Sequence, residues 1–192
     1  MQTVHVEADL QFREFPANLP TVKKYALCTL IIGLGLLPVI GLAGARAALG
    51  RPAILYNPSP SEPTGLYRLS GNAPAPGRII AFKVPAAGRA YAQAHLPNIA
   101  RTAILKQVEA GEGAVICEAA GIVSINGKAR GTVAATDRHG APLPHWFGCQ
   151  RLHKGQYFVI SNRIPNSFDS RYYGPVSDAE LVGVYQPLWT DS

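Results

Sequence analysis

The chain has 192 residues, enough for one compact domain with a further segment attached. Only 16% of its residues are charged and 47% are hydrophobic, whereas soluble domains average about 25% charged, and one apolar run accounts for much of the difference. The formal net charge is +6, but no basic run or helix-turn-helix pattern accompanies it, which sets nucleic acid aside as a partner.

Residues 1–24 read as a short tail in which Arg13, Lys23 and Lys24 offset Glu7, Asp9 and Glu14, so the basic excess belongs to the rest of the chain. Tyr25–Ala45 (YALCTLIIGLGLLPVIGLAGA) carries no charge over 21 residues. At ~1.5 Å per residue it is about 31 Å long as a helix, close to a bilayer core of ~30 Å. Pro38 is tolerable in a membrane helix. Ala43-Gly44-Ala45 resembles a signal-peptide cleavage site, but the run is longer than a usual h-region and a long tail precedes it, so an uncleaved single-pass anchor is expected. Lys23 and Lys24 before the run favour a cytoplasmic tail, which places residues 46–192 on the exported side of a bacterial-type inner membrane. The basic excess there suits anionic lipid headgroups.

Beyond the anchor the texture changes to short apolar runs cut by Gly and Pro. Strands are predicted at Ile54–Tyr56, Gly65–Leu69, Arg78–Val84, Ala103–Val108, Ala114–Ile116, Gln156–Ser161 and Leu181–Tyr185. A hairpin is predicted at Ile122–Ile125 followed by Asn126-Gly127, and a short helix within Ala86–Ala100. The sum is a mainly β domain behind one N-terminal transmembrane helix. Cys28 is ordinary filler in the apolar run. Cys117 and Cys149 both fall in the exported part, where oxidation permits a disulfide between them.

No G-x-S-x-G elbow and no H-E-x-x-H helix is present, and the five histidines match no ligand spacing, so neither a metal nor another cofactor is expected. His139 and His145 sit in a Gly/Pro-rich loop, where solvated histidines are common. Asn57–Tyr67 (NPSPSEPTGLY) holds Ser59 and Ser61 between Pro58, Pro60 and Pro63. Prolines stiffen the backbone, and a serine nucleophile needs a fixed, exposed loop; a plain Ser/Pro linker has the same composition. Lys106, in the apolar stretch Ala103–Val108, is the best base for a Ser/Lys arrangement, because burial disfavours its charged form. Ser161–Val176 (SNRIPNSFDSRYYGPV) gathers Ser167, Asp169 and Arg171 after a strong strand; Asp169 and Arg171 are placed to pair and brace a site, or to form a surface salt bridge on a solvated loop.

Together these segments resemble the type I signal peptidase family of Ser/Lys peptidases. Gly65-Leu66-Tyr67 after Ser61-Glu62-Pro63 is especially similar to its conjugative-transfer (TraF) type; Glu62 stands where general signal peptidases have methionine. Pro76–Phe82 resembles the family's Gly-Asp-x-Val-x-Phe strand with Arg78 in place of the acid. Leu105–Val108 resembles its Lys-Arg-Val segment with Gln107 in place of arginine, and Gly155–Val159 and Asp169–Gly174 resemble its last blocks. The resemblance implies a signal-peptidase-like β catalytic domain with Ser61 as nucleophile and Lys106 as general base. It further implies an oxyanion hole from the Ser59 hydroxyl and the Ser61 N–H, with Asp169, Arg171 and Ser167 ordering the site. The substrate implied is an exported precursor protein, in the TraF type a conjugative propilin, whose processing in that family can be coupled to cyclisation. A housekeeping signal peptidase and a catalytically silent membrane component of a conjugation apparatus are the competing expectations.

Overall fold

The structure is a computed structural model that describes residues 50–191. The expected tail 1–24 and anchor 25–45 lie outside those residues, and among the described residues no helix is long and apolar enough to cross a membrane. In chain order the elements are β1 (Ile54–Asn57), β2 (Gly65–Ser70), β3 (Ile79–Phe82), α1 (Ala86–His95), α2 (Pro97–Arg101), β4 (Ile104–Ala110), β5 (Val115–Ala119), β6 (Ile122–Ile125), β7 (Lys128–Thr132), β8 (Gly148–Arg151), β9 (Gln156–Val159), α3 (Ser170–Tyr173), β10 (Val176–Ser177) and β11 (Leu181–Thr190).

These strands form a seven-stranded sheet in the order β1-β2-β11-β3-β4-β9-β10 and a four-stranded sheet in the order β7-β6-β5-β8. The mainly β architecture expected from the turn-punctuated apolar runs is therefore present. β11, the last strand, lies between β2 and β3, both from the first half of the domain. Its end passes so close to Gly65 that a Cβ there would lie 2.2 Å from the Trp189 carbonyl oxygen, and Gly65 has φ +136°. Only glycine fits that crossing, which explains the glycine of Gly-Leu-Tyr.

Some elements escaped the sequence reading. β8 (GCQR) is exposed along its whole length and shows no apolar alternation; it is a strand because it pairs with β5. α3 and β10 are too short to carry a periodic signal. The long strand expected at 78–84 is only Ile79–Phe82: the Arg78 N–H closes the preceding turn on the Ala75 carbonyl at 3.0 Å, and Pro85 caps the helix that follows Val84.

β4 is the element that matters most for the site. Side chains alternate across a strand, so Ile104, Lys106 and Val108 share one face and Leu105 takes the other. The first face packs on Ile80, Phe82, Phe168, Tyr172 and Tyr173, and the second joins Tyr67, Ala81 and Tyr185. Lys106 thus occupies a position that the pattern reserves for an apolar residue. α1 covers this core closely: a Cβ on Gly88 would meet the Tyr173 side chain at 3.0 Å.

Candidate active site

The loop between β1 and β2 is held by Asn57. Its Nδ2 donates to the carbonyls of Ser59 (2.9 Å), Glu62 (3.1 Å) and Pro63 (3.0 Å), and its Oδ1 accepts from the Ser59 N–H at 3.1 Å. Asn57 and Glu62 are buried, so the Glu62 carbonyl would lose its partner without it, at a cost of about 1–3 kcal/mol. The prolines stiffen this loop, but one asparagine folds it; the Asx-turn tendency of Asn57 was the available signal. Tyr67 adds a bond from its hydroxyl to the Pro63 carbonyl at 2.6 Å.

The exposed serine expected on this loop is instead drawn inward. Ser61 is 2% exposed, because the loop folds back on Asn57 and the Ser161 hydroxyl, just past β9, donates to the Ser61 carbonyl. Ser61 still lines a cleft of about 1000 Å³, which it shares with Ser59, Lys106 and Ser167. The Ser59 and Ser61 hydroxyls are 3.0 Å apart, and the Ser61 N–H donates to Ser59 Oγ at 3.4 Å. The two serines thus hydrogen-bond to one another.

Lys106 is 3% exposed, and burial lowers its pKa to about 8 against the opposing pull of Asp169 and Glu62. Among the described residues no hydrogen bond joins its ammonium to Ser61, although both side chains line the same cleft. Ser167 Oγ is buried and has no hydrogen-bond partner among the described residues.

Asp169 and Arg171 form a buried pair rather than a solvated surface bridge. Arg171 Nε donates to Asp169 Oδ1 at 2.8 Å and Nη2 to Oδ2 at 2.9 Å, with side chains 7% and 0% exposed. Asp169 also accepts from the N–H of Ser161 (3.1 Å) and of Arg171 (3.2 Å), capping α3, and Arg171 reaches the Ser167 carbonyl at 3.3 Å. The network therefore fixes both Ser161, which grips the Ser61 loop, and Ser167, which lines the cleft. Ser161 and Glu62 were not singled out as site residues in the sequence. Glu62 Oε1 accepts the Gln107 N–H at 2.9 Å, so Gln107 meets the loop through its backbone.

The far wall of the cleft comes from α1, α2 and the segment after β7. Tyr91 donates its hydroxyl to Asp137 Oδ2 at 2.6 Å, tying the helix to that segment, and His139 lines the same wall. His139 is exposed, as its loop suggested. His145 is not free: its Nε2 lies 3.0 Å from the buried Glu118 carboxylate, away from the cleft. Cys117 and Cys149 face each other across β5 and β8 and are joined in a disulfide, also outside the cleft lining. No group of metal-ligating side chains occurs among the described residues.

A family model described as signal peptidase, peptidase S26, matches residues 29–189. The Conjugal transfer protein TraF of Agrobacterium fabrum is 28% identical over 145 residues, spanning 70% of this chain and 81% of that protein. A Plasmid transfer protein TraF of Escherichia coli is 27% identical over 179 residues, spanning 88% and 97%. A signal peptidase I structure from Enterococcus faecalis V583 is 21% identical, covering 60% of this chain and 98% of that one at a TM-score of 0.34, too low to argue fold from.

Proposed function

Because the chain belongs to the signal peptidase family, peptidase S26, we propose that it is a membrane-anchored serine endopeptidase that matures exported precursor proteins with a Ser61/Lys106 dyad. The observation that carries this is the shared cleft: a serine on a braced loop and a buried lysine held near pKa 8 line the same cavity. The TraF relatives support a conjugative precursor, such as a propilin, as substrate. The apolar run 25–45 supports an inner-membrane anchor with the peptidase domain exported and lipid nearby.

In this mechanism Lys106 enters neutral. Ser61 Oγ attacks the scissile carbonyl carbon and passes its proton to Lys106 Nζ. The oxyanion takes hydrogen bonds from the Ser61 N–H and the Ser59 hydroxyl, which release one another to receive it. A donor of this type contributes about 2.7–4 kcal/mol. Lys106 then protonates the leaving amine as the C–N bond breaks, leaving an ester on Ser61. Water attacks that ester, again deprotonated by Lys106, and returns free enzyme. The unpartnered Ser167 hydroxyl is available to orient the Lys106 amine.

The test is incubation of the full-length protein in detergent with a precursor carrying its signal peptide, with the product N-terminus read by mass spectrometry. One defined new N-terminus, lost in Ser61→Ala, is expected. Undiminished cleavage in Ser61→Ala would sink the dyad.

A further inference from the structure

β9 pairs with β4 only from Val108 onward, so on that side the β4 backbone ahead of Val108 has no strand neighbour. The nucleophile loop fills the gap. Glu62 is 5% exposed, and its Oε1 takes the Gln107 N–H at 2.9 Å. Glu62 directly follows Ser61, and Gln107 directly follows Lys106. The one side-chain bond therefore spans the two chain segments that carry the dyad, a single residue away from each member.

The charges around this bond differ in commitment. The charges that act on Lys106 are those of Asp169, ahead of α3, and then of Glu62 on the Ser61 loop, both favouring its ammonium, and that of Arg171 on α3, which opposes it. Glu62 in turn faces Lys106, Arg163 from the segment after β9, Asp169, and the Tyr67 hydroxyl on β2. Asp169 is taken up by a two-pronged pair with Arg171, whereas Glu62 belongs to no ion pair among the described residues. Its negative charge is thus the less compensated of the two that Lys106 senses.

We propose that Glu62 is a positioning residue for the dyad: its carboxylate ties the Ser61 loop to the Lys106 strand, and its charge sets how readily Lys106 gives up its proton. This rests on the Ser/Lys chemistry proposed above, and it assigns a task to the glutamate that stands where general signal peptidases carry methionine. Burial works against the Glu62 charge and raises its pKa, while the Gln107 N–H, Lys106 and Arg163 pull it back. The Glu62 carboxylate in turn opposes the burial that lowers the pKa of Lys106. The pair is a compromise: the tether needs an acceptor, and a charged acceptor makes the lysine a slightly later-titrating base. Glutamine keeps the acceptor without the charge, and aspartate keeps the charge without the reach.

The experiment follows the Lys106 Cε resonance against pH by carbon NMR in full-length protein labelled with ¹³C-lysine and held in detergent micelles. It is assigned by its loss in Lys106→Arg and paired with the pH profile of precursor cleavage. Glu62→Gln is expected to lower the Lys106 midpoint by about half a unit or more, because removing an opposite charge disfavours the ammonium. The acid limb of kcat/KM should move by the same amount. Glu62→Met, which fills similar volume without charge, should shift the midpoint in the same direction and serves should the glutamine variant fail to fold. Glu62→Asp should keep the midpoint close to that of the unaltered protein and lower kcat about tenfold through misplacement of Ser61. An unmoved midpoint in the charge-free variants would overturn the electrostatic half, and full kcat in Glu62→Asp would overturn the tether. The NMR titration needs no turnover. A protein that cleaves no precursor yet shows the midpoint shift would refute the peptidase and leave the Glu62 coupling standing.

Discussion

Near the site, the seven-stranded sheet buries polar side chains: Ser61, Glu62, Lys106, Ser161 and Asp169 lie against the same core as Phe82, Val108 and Phe168. The four-stranded sheet instead packs Ile116, Val123 and Ile125 against Phe158 and Ile160, and it carries a disulfide between β5 and β8. Both belong to one chain of similar composition, so the contrast is in what each region must do. A region that holds an amine partly neutral must exclude water from it, and every polar group buried with it then requires a partner. The region without such a group fills its interior mainly with aliphatic and aromatic side chains, pairs its one buried carboxylate, Glu118, with His145, and adds a covalent link between β5 and the edge strand β8. The difference teaches that stability and chemistry are housed apart, and it can be broken region by region.

The largest effect is expected at the dyad. Ser61→Ala and Lys106→Ala should each lower precursor cleavage by about 10⁴-fold or more while circular dichroism shows the fold intact. Folded variants that retain activity would mean that the polar region of the large sheet is not the chemical one.

The pH profile comes next. Lys106 has its pKa lowered to about 8, and only its neutral form accepts the Ser61 proton. Cleavage should therefore fall about tenfold for each unit below that midpoint and level off above it. His139→Ala should leave the midpoint where it is, whereas a histidine base would put it near 6.5. A midpoint near 6.5 that disappears in His139→Ala would transfer the role of base to the far wall of the cleft.

Removing one member of the buried pair is expected to cost folding stability. Asp169→Ala strands the Arg171 guanidinium without its carboxylate, a loss of about 3–5 kcal/mol measured by urea unfolding. Cleavage should fall with it, since Asp169 also holds the Ser161 N–H. Smallest is the disulfide. Cys117 and Cys149 are 32 residues apart in sequence, and replacing both with serine should cost about 3–4 kcal/mol in the chain-entropy description. The cleavage rate below the unfolding transition should stay within about twofold, because neither cysteine lines the cleft. A large loss of activity there would show that the two sheets are coupled after all.

Much of the candidate site was legible in the sequence. Lys106 stood out as a charge in an apolar alternation, and the Pro-rich serine loop and the Asp169–Arg171 segment each bordered a clear strand. What escaped were contacts with no local signature. Ser161 and Glu62 act through backbone atoms of distant segments, on Ser61 and Gln107, and nothing in their own neighbours marks them. The inward turn of Ser61 was missed in part for the same reason, since the hydroxyl that holds its carbonyl belongs to Ser161, a hundred residues further along the chain. β8 becomes a strand only by pairing, so its flanking sequence reads as loop.

The placement of β11 also has a consequence in time. This last strand separates β2 from β3 and supplies hydrogen-bonding partners to both, so β2, which follows the Ser61 loop, joins the sheet of β3 and β4 only when it arrives. During synthesis at about 5–20 residues per second, the nucleophile segment would wait on the order of ten seconds before the strand that locks it is made. The growing chain is thereby a silent precursor of itself. On the function proposed above, the Ser61/Lys106 site is complete only when the domain is finished.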